Sequence, residues 1–122
     1  MSKLDTTLAD AERMYREMQS LEQSGNAEGK NAIIKLRSRY AMLMLEILQA
    51  MKEDQKLLGN AELKAEFERR FFEMRQKLGD HQATWRLQKI EDDPSGYMKS
   101  AAGLNTMQED FYRWVGTNFS LH

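Results

Sequence analysis

Cysteine is missing from this chain of 122 residues, proline occurs once and histidine twice. Without cysteine there is no disulfide framework, no thiolate metal site and no thiol nucleophile. One proline and seven glycines leave long stretches free of helix breakers. An excess of one charge is also lacking, because basic and acidic residues nearly cancel to a net charge of −1. A protein that coats nucleic acid carries a basic surplus. No run approaches the roughly 18 apolar residues of a membrane span, and the opening MSKLDTTLADAER has no apolar stretch of signal-peptide length. These absences predict a soluble cytoplasmic protein with no membrane partner. Phosphate-binding loops are missing too. The glycines of SGNAEGK do not fill the spacing of a nucleotide-binding loop, and no strand precedes them. A hydrolase G-x-S-x-G elbow does not occur.

What is present is helical periodicity. A length of 122 residues suits one domain over 1–122, able to bury roughly two thirds of its unfolded surface. Leu4, Leu8, Ala11, Tyr15 and Met18 step by four and three, which predicts a helix over 4–23 with Ser2 and Asp5 as candidate N-caps. Gly25, Asn26 and Gly29 then interrupt. A second helix is predicted over 31–58. Tyr40, Leu43, Met44, Ile47, Leu48 and Met51 form its stripe, while Ala41, Met42 and Leu45 lie toward the other side. A helix apolar on two sides is expected between neighbours or against a second subunit. Gly59 and Asn60 read as a stop and a cap. A third helix is predicted over 60–89, with Leu63, Phe67, Phe71, Met74, Leu78, His81 and Trp85 in register. Asp93 and Pro94 read as the N-cap and first residue of a fourth helix over 94–116, stopped by Gly116 and followed by a short tail, TNFSLH. The expected fold class is all-α, an antiparallel bundle of three to four helices with short connections.

His81 is the one internal histidine. As a general base it needs a substrate pocket and an orienting group. Asp80 is adjacent in sequence, and adjacent helix positions do not face each other. On the stripe between Leu78 and Trp85, His81 is expected to be structural, hydrogen-bonded through one nitrogen and packed on the indole. Histidine phosphotransfer domains are bundles of about this size, but they leave room beyond the reactive histidine, where this chain has Thr84 and Trp85. A di-iron bundle needs paired Glu-x-x-His motifs, and the residue three before His81 is Leu78. Glu91, Asp92 and Asp93 lack the spacing of a calcium loop and suit a helix N-terminus instead. No catalytic residue, metal ligand or cofactor is therefore assigned.

Two interaction readings follow. Methionine is abundant, with nine residues, and it adapts to varied partners as well as filling cores. Met42, Leu45, Met98, Tyr112, Trp114 and Phe119 are candidate partner-binding residues, because the second helix carries more apolar surface than one bundle face needs and the last helix is rich in the large amphipathic groups enriched at interfaces. Tyr112 and Trp114 are not both expected to point inward with Phe111 and Val115. The favoured reading is a non-catalytic interaction module, an adaptor or small chaperone binding a helical partner, with a homodimer as an alternative assembly. Bundles of this size serve as bacterial secretion and flagellar chaperones, an analogy of fold alone. The second reading is a weak nucleic-acid-binding regulator using Lys30, Lys35, Arg37 and Arg39 together with Arg69, Arg70 and Arg75. Nucleic acid is the less expected partner, since Glu28, Glu66, Glu68 and Glu73 interleave with these cations.

Overall fold

A computed structural model describes the backbone of residues 2–24 and 27–121 and, apart from residues 23–30, their side chains. Those residues form six α-helices and no strand: α1 Lys3–Ser24, α2 Ala27–Glu53, α3 Gln55–Leu58, α4 Ala61–Thr84, α5 Leu87–Asp92 and α6 Pro94–Asn118. Four are long and two are short. The predicted second and third helices are each divided, and this is the main correction to the expected architecture. α2 also starts earlier than predicted, so Gly29 lies within it; the turn expected at Gly25 and Asn26 falls outside the described residues.

Local chemistry accounts for most boundaries. α1 opens with a reciprocal cap, in which the Asp5 N–H donates to Ser2 Oγ (3.1 Å) and the Ser2 N–H donates to Asp5 Oδ2 (3.2 Å). α2 ends at Asp54, an extended residue whose carboxylate accepts the Leu57 N–H (3.1 Å) and so caps α3. Asn60 caps α4 in the same way through Leu63 (3.1 Å). Asp93 accepts the Gly96 N–H (3.0 Å) and Pro94 follows as the first helical residue of α6. Gly116 does not stop α6, which runs on to Asn118.

α1 lies along α2 and α4 lies along α6; α1 also touches α6, and α5 packs on α6 and α2. The main core joins Leu8, Tyr15, Tyr40, Ile47, Phe67, Phe71, Met74, Phe111 and Val115. Phe67 is its aromatic hub, with Phe71, Phe111, Trp114 and Phe119 within 6.3 Å between ring centroids. Trp85, Ile90, Tyr97 and Ala101 form a separate small cluster, with Ile34 against it. No helix of the described residues is long and apolar enough to cross a membrane.

Candidate functional site

Two places deserve a functional test: the polar groups around His81, and the outward face of α2. The first begins with a charged residue on an apolar helix face. Arg37 follows Ile33 by four residues and precedes Tyr40 by three, at the edge of the buried stripe of α2. Its Nη1 donates to the Trp85 carbonyl (2.5 Å), the group left without an intrahelical partner where α4 ends. Its Nη2 is buried without a hydrogen bond among the described residues. Burial pushes the guanidinium pKa down, and the nearby Tyr97 hydroxyl and Glu22 carboxylate oppose that shift.

Glu22 ties α1 to α6 at this level. It accepts from the Tyr97 hydroxyl (3.2 Å) and from the Asn105 amide (3.1 Å). Burial, reinforced by the Glu22 charge, raises the Tyr97 pKa. His81 projects from α4 into the same region at 7 % exposure. Its Nδ1 is 2.7 Å from Ser100 Oγ, and its ring lies 5.6 Å from that of Tyr97. The expected single hydrogen bond is present, while the aromatic neighbour is Tyr97. Trp85 packs edge-on to Tyr97 instead, at 6.0 Å. Burial and then the Arg37 cation lower the His81 pKa to about 4, so the imidazole is neutral at pH 7. The space enclosed by Glu22, Arg37, His81, Tyr97, Asn105 and Gln108 is about 20 Å³, enough for one water and too small for a substrate.

A second buried network lies deeper. The Tyr40 hydroxyl donates to Gln108 Oε1 (2.8 Å) and lies 2.6 Å from the Tyr112 hydroxyl. Tyr15 stacks on Tyr112 at 5.6 Å and donates to the Asn105 carbonyl (3.3 Å). Burial, with a smaller push from Glu109, lifts the Tyr15 pKa to about 12. These are hydrogen-bonded structural phenols.

The six candidate partner-binding residues separate. Met42 is 58 % exposed, and Leu45 45 %, on the outward side of α2, and Met98 is exposed on α6. Tyr112 is only 2 % exposed and Phe119 6 %, so neither offers surface to a partner. α6 buries two sides at once: Phe111 faces Phe67 and Phe71 of α4, while Tyr112 faces Tyr15 and Tyr40. Trp114 is half-buried, with Arg70 over its ring at 4.9 Å. The expected tail folds back, since Phe119 and Leu121 are buried and Lys56 lies over the Phe119 ring at 5.0 Å.

The basic residues also divide. Lys35 and Arg39 are exposed, Arg37 is not, and the Lys30 side chain lies outside the described residues. Arg69 and Arg70 both bind Glu66 at 2.6 Å, and these bonds hold its carboxyl down at about 2. Glu12 pairs with Arg16 at 3.3 Å, and Glu73 pairs with Arg69 at 3.4 Å. Asp93 is engaged as a cap, and Asp92 accepts from Gln88 (3.0 Å).

On the outer surface, α1 and α2 enclose an open groove of about 510 Å³. Met14, Met42 and Leu43 supply its apolar part. Arg39 and Glu46 stand on the α2 side, facing Glu17 and the Asp10–Arg13 pair on α1. No family model, no curated protein and no solved structure matches this chain.

Proposed function

We propose that this chain is a non-catalytic protein-interaction module, of the adaptor or small-chaperone kind, that takes a helical partner against the α1–α2 face. The four long helices are read as an antiparallel bundle. Tyr15 meets Tyr112 while Glu22 meets Tyr97, and Phe67 meets Phe111 while His81 meets Ser100, which supports opposite directions for α1 against α6 and for α4 against α6. The observation that carries the proposal is the exposure of Met42 and Leu45, one turn apart on a helix whose opposite side is core. Amphipathic helices seat in apolar grooves by such anchors, and methionine tolerates varied side chains opposite it. The confined space at His81 supports the same reading, because this buried imidazole has no room for a reactant beside it.

The test compares the tagged full-length chain with a Met42→Glu/Leu45→Glu variant. Both positions are exposed, so the variant is expected to keep its helical circular dichroism and its melting temperature. A protein retained stoichiometrically by the wild type and lost from the variant is the expected result. Retention of the same proteins by both chains would place the interaction elsewhere.

A further inference from the structure

The outward face of α2 carries its charges in a self-complementary pattern. Arg39 and Glu46 lie seven residues apart, almost two full turns, on one edge of the helix and about 10.5 Å apart along its axis. Met42 lies between them, and Leu45 stands on the other edge of the same face beside Ser38 and Ala41, all exposed. Among the described residues, Arg39 and Glu46 make no ion pair within the chain, in contrast to Arg13, Arg16, Arg69, Arg70 and Arg113, each of which has an acidic partner.

We propose that this face pairs with the same face of a second copy of the chain, antiparallel about a twofold axis near Met42 and Leu43, so that Arg39 meets the partner's Glu46. The proposal rests on the reading of the α2 face as a helix-binding surface and names the helix. A twofold axis perpendicular to both helices and lying in the interface keeps each edge on its own side and reverses direction along the axis. Arg39 then falls opposite the partner's Glu46, and Glu46 opposite the partner's Arg39, with the two Met42 side chains enclosed between the two ion pairs. Leu45 is brought over the partner's Ala41. A parallel pairing moves the Arg39–Glu46 edge of one copy to the far side of the other and leaves all four charges unmatched. The electrostatics therefore select the antiparallel arrangement, as charge patterns do at coiled-coil edges. A single helix pair of this length belongs among interfaces below roughly 1,200 Å², so the dimer is concentration-dependent.

Sedimentation equilibrium of the full chain over a wide concentration range tests this, with the Arg39→Glu and Glu46→Arg variants measured alone and mixed. Each reversal replaces two attractions in the symmetric dimer by two repulsions, and self-association is expected to weaken about tenfold. Mixing the two variants restores both attractions and is expected to return a heterodimer of wild-type strength. A wild type that stays monomeric up to millimolar concentration would overturn the pairing; the helix-binding reading would then still stand or fall on the Met42→Glu/Leu45→Glu comparison. A dimer that both reversals leave intact, or a mixture that fails to recover, would likewise overturn it.

Discussion

Burial of His81 beside the Arg37 guanidinium makes protonation and folding compete. The ring titrates near 6.5 in an unfolded chain and at about 4 in the folded protein. Between those values the unfolded chain binds more protons, so stability falls as pH falls through that window and levels off below it. Above pH 6.5 the group contributes no pH dependence. The full loss across the window is on the order of 3 kcal/mol, about 2 kcal/mol of it between pH 7 and pH 5. Urea titrations at pH 7 and pH 5 should show the wild type losing more stability than His81→Gln; equal losses would assign the acid sensitivity to other groups. At this scale the sequence placed His81 on the apolar stripe and gave it one hydrogen bond. It does not reveal Arg37, which in sequence stands between the cations Lys35 and Arg39. The available signal was its position between Ile33 and Tyr40, but a charged side chain at a stripe edge more often reaches for water. Its burial depends on the Trp85 carbonyl, a group from a distant part of the chain.

Helix boundaries were legible where a side chain next to the break caps it. Ser2, Asn60 and Asp93 are such cases. Asp54 caps by the same chemistry, yet it sits in a strongly helical context with no glycine or proline beside it, so the break was not predicted. The break after Thr84 is tertiary in origin: Arg86 makes no side-chain cap, and Arg37 of α2 takes the Trp85 carbonyl. Glycines separate in the same way. A Cβ on Gly96 would run into the Asp93 carboxylate that caps α6 and lie 2.8 Å from Trp85 Cη2, whereas one on Gly79 or Gly116 would meet nothing within 4 Å. Gly96→Ala is therefore expected to destabilise by about 1–3 kcal/mol through overpacking. Gly79→Ala and Gly116→Ala should each stabilise by about 0.5–1 kcal/mol, since alanine is the better helix residue. Thermal melts of the three variants check this, and a neutral Gly96→Ala would show that the start of α6 is less closely packed on Asp93 and Trp85 than described.

Across the whole molecule, the buried hydroxyls of Tyr40 and Tyr112 join α2 to α6 through Gln108. Tyr40→Phe leaves both the Tyr112 hydroxyl and the Gln108 carbonyl without their shared partner, and is expected to cost about 1–3 kcal/mol. Tyr112→Phe removes one end of the chain and leaves Tyr40 bonded to Gln108, so its cost should be smaller. Chemical denaturation orders the two, and the reverse order would mean that Gln108 is satisfied without Tyr40. This network also accounts for the burial of Tyr112, which the helical pattern alone puts among the candidates for the surface. A single helical stripe has one inward side, but α6 lies between α4 on one flank and α1 with α2 on the other, so adjacent Phe111 and Tyr112 are both enclosed. The apolar period and the near absence of breakers determined an all-helical chain and the inward residues of α1, α2 and α4, because a repeat of three and four places side chains on one face whatever lies opposite. Which helices flank α6, which cation is drawn inward and which apolar residues of α2 remain outside depend on neighbours remote in sequence. Only the tertiary structure decided these, since burial is a property of what packs against a residue.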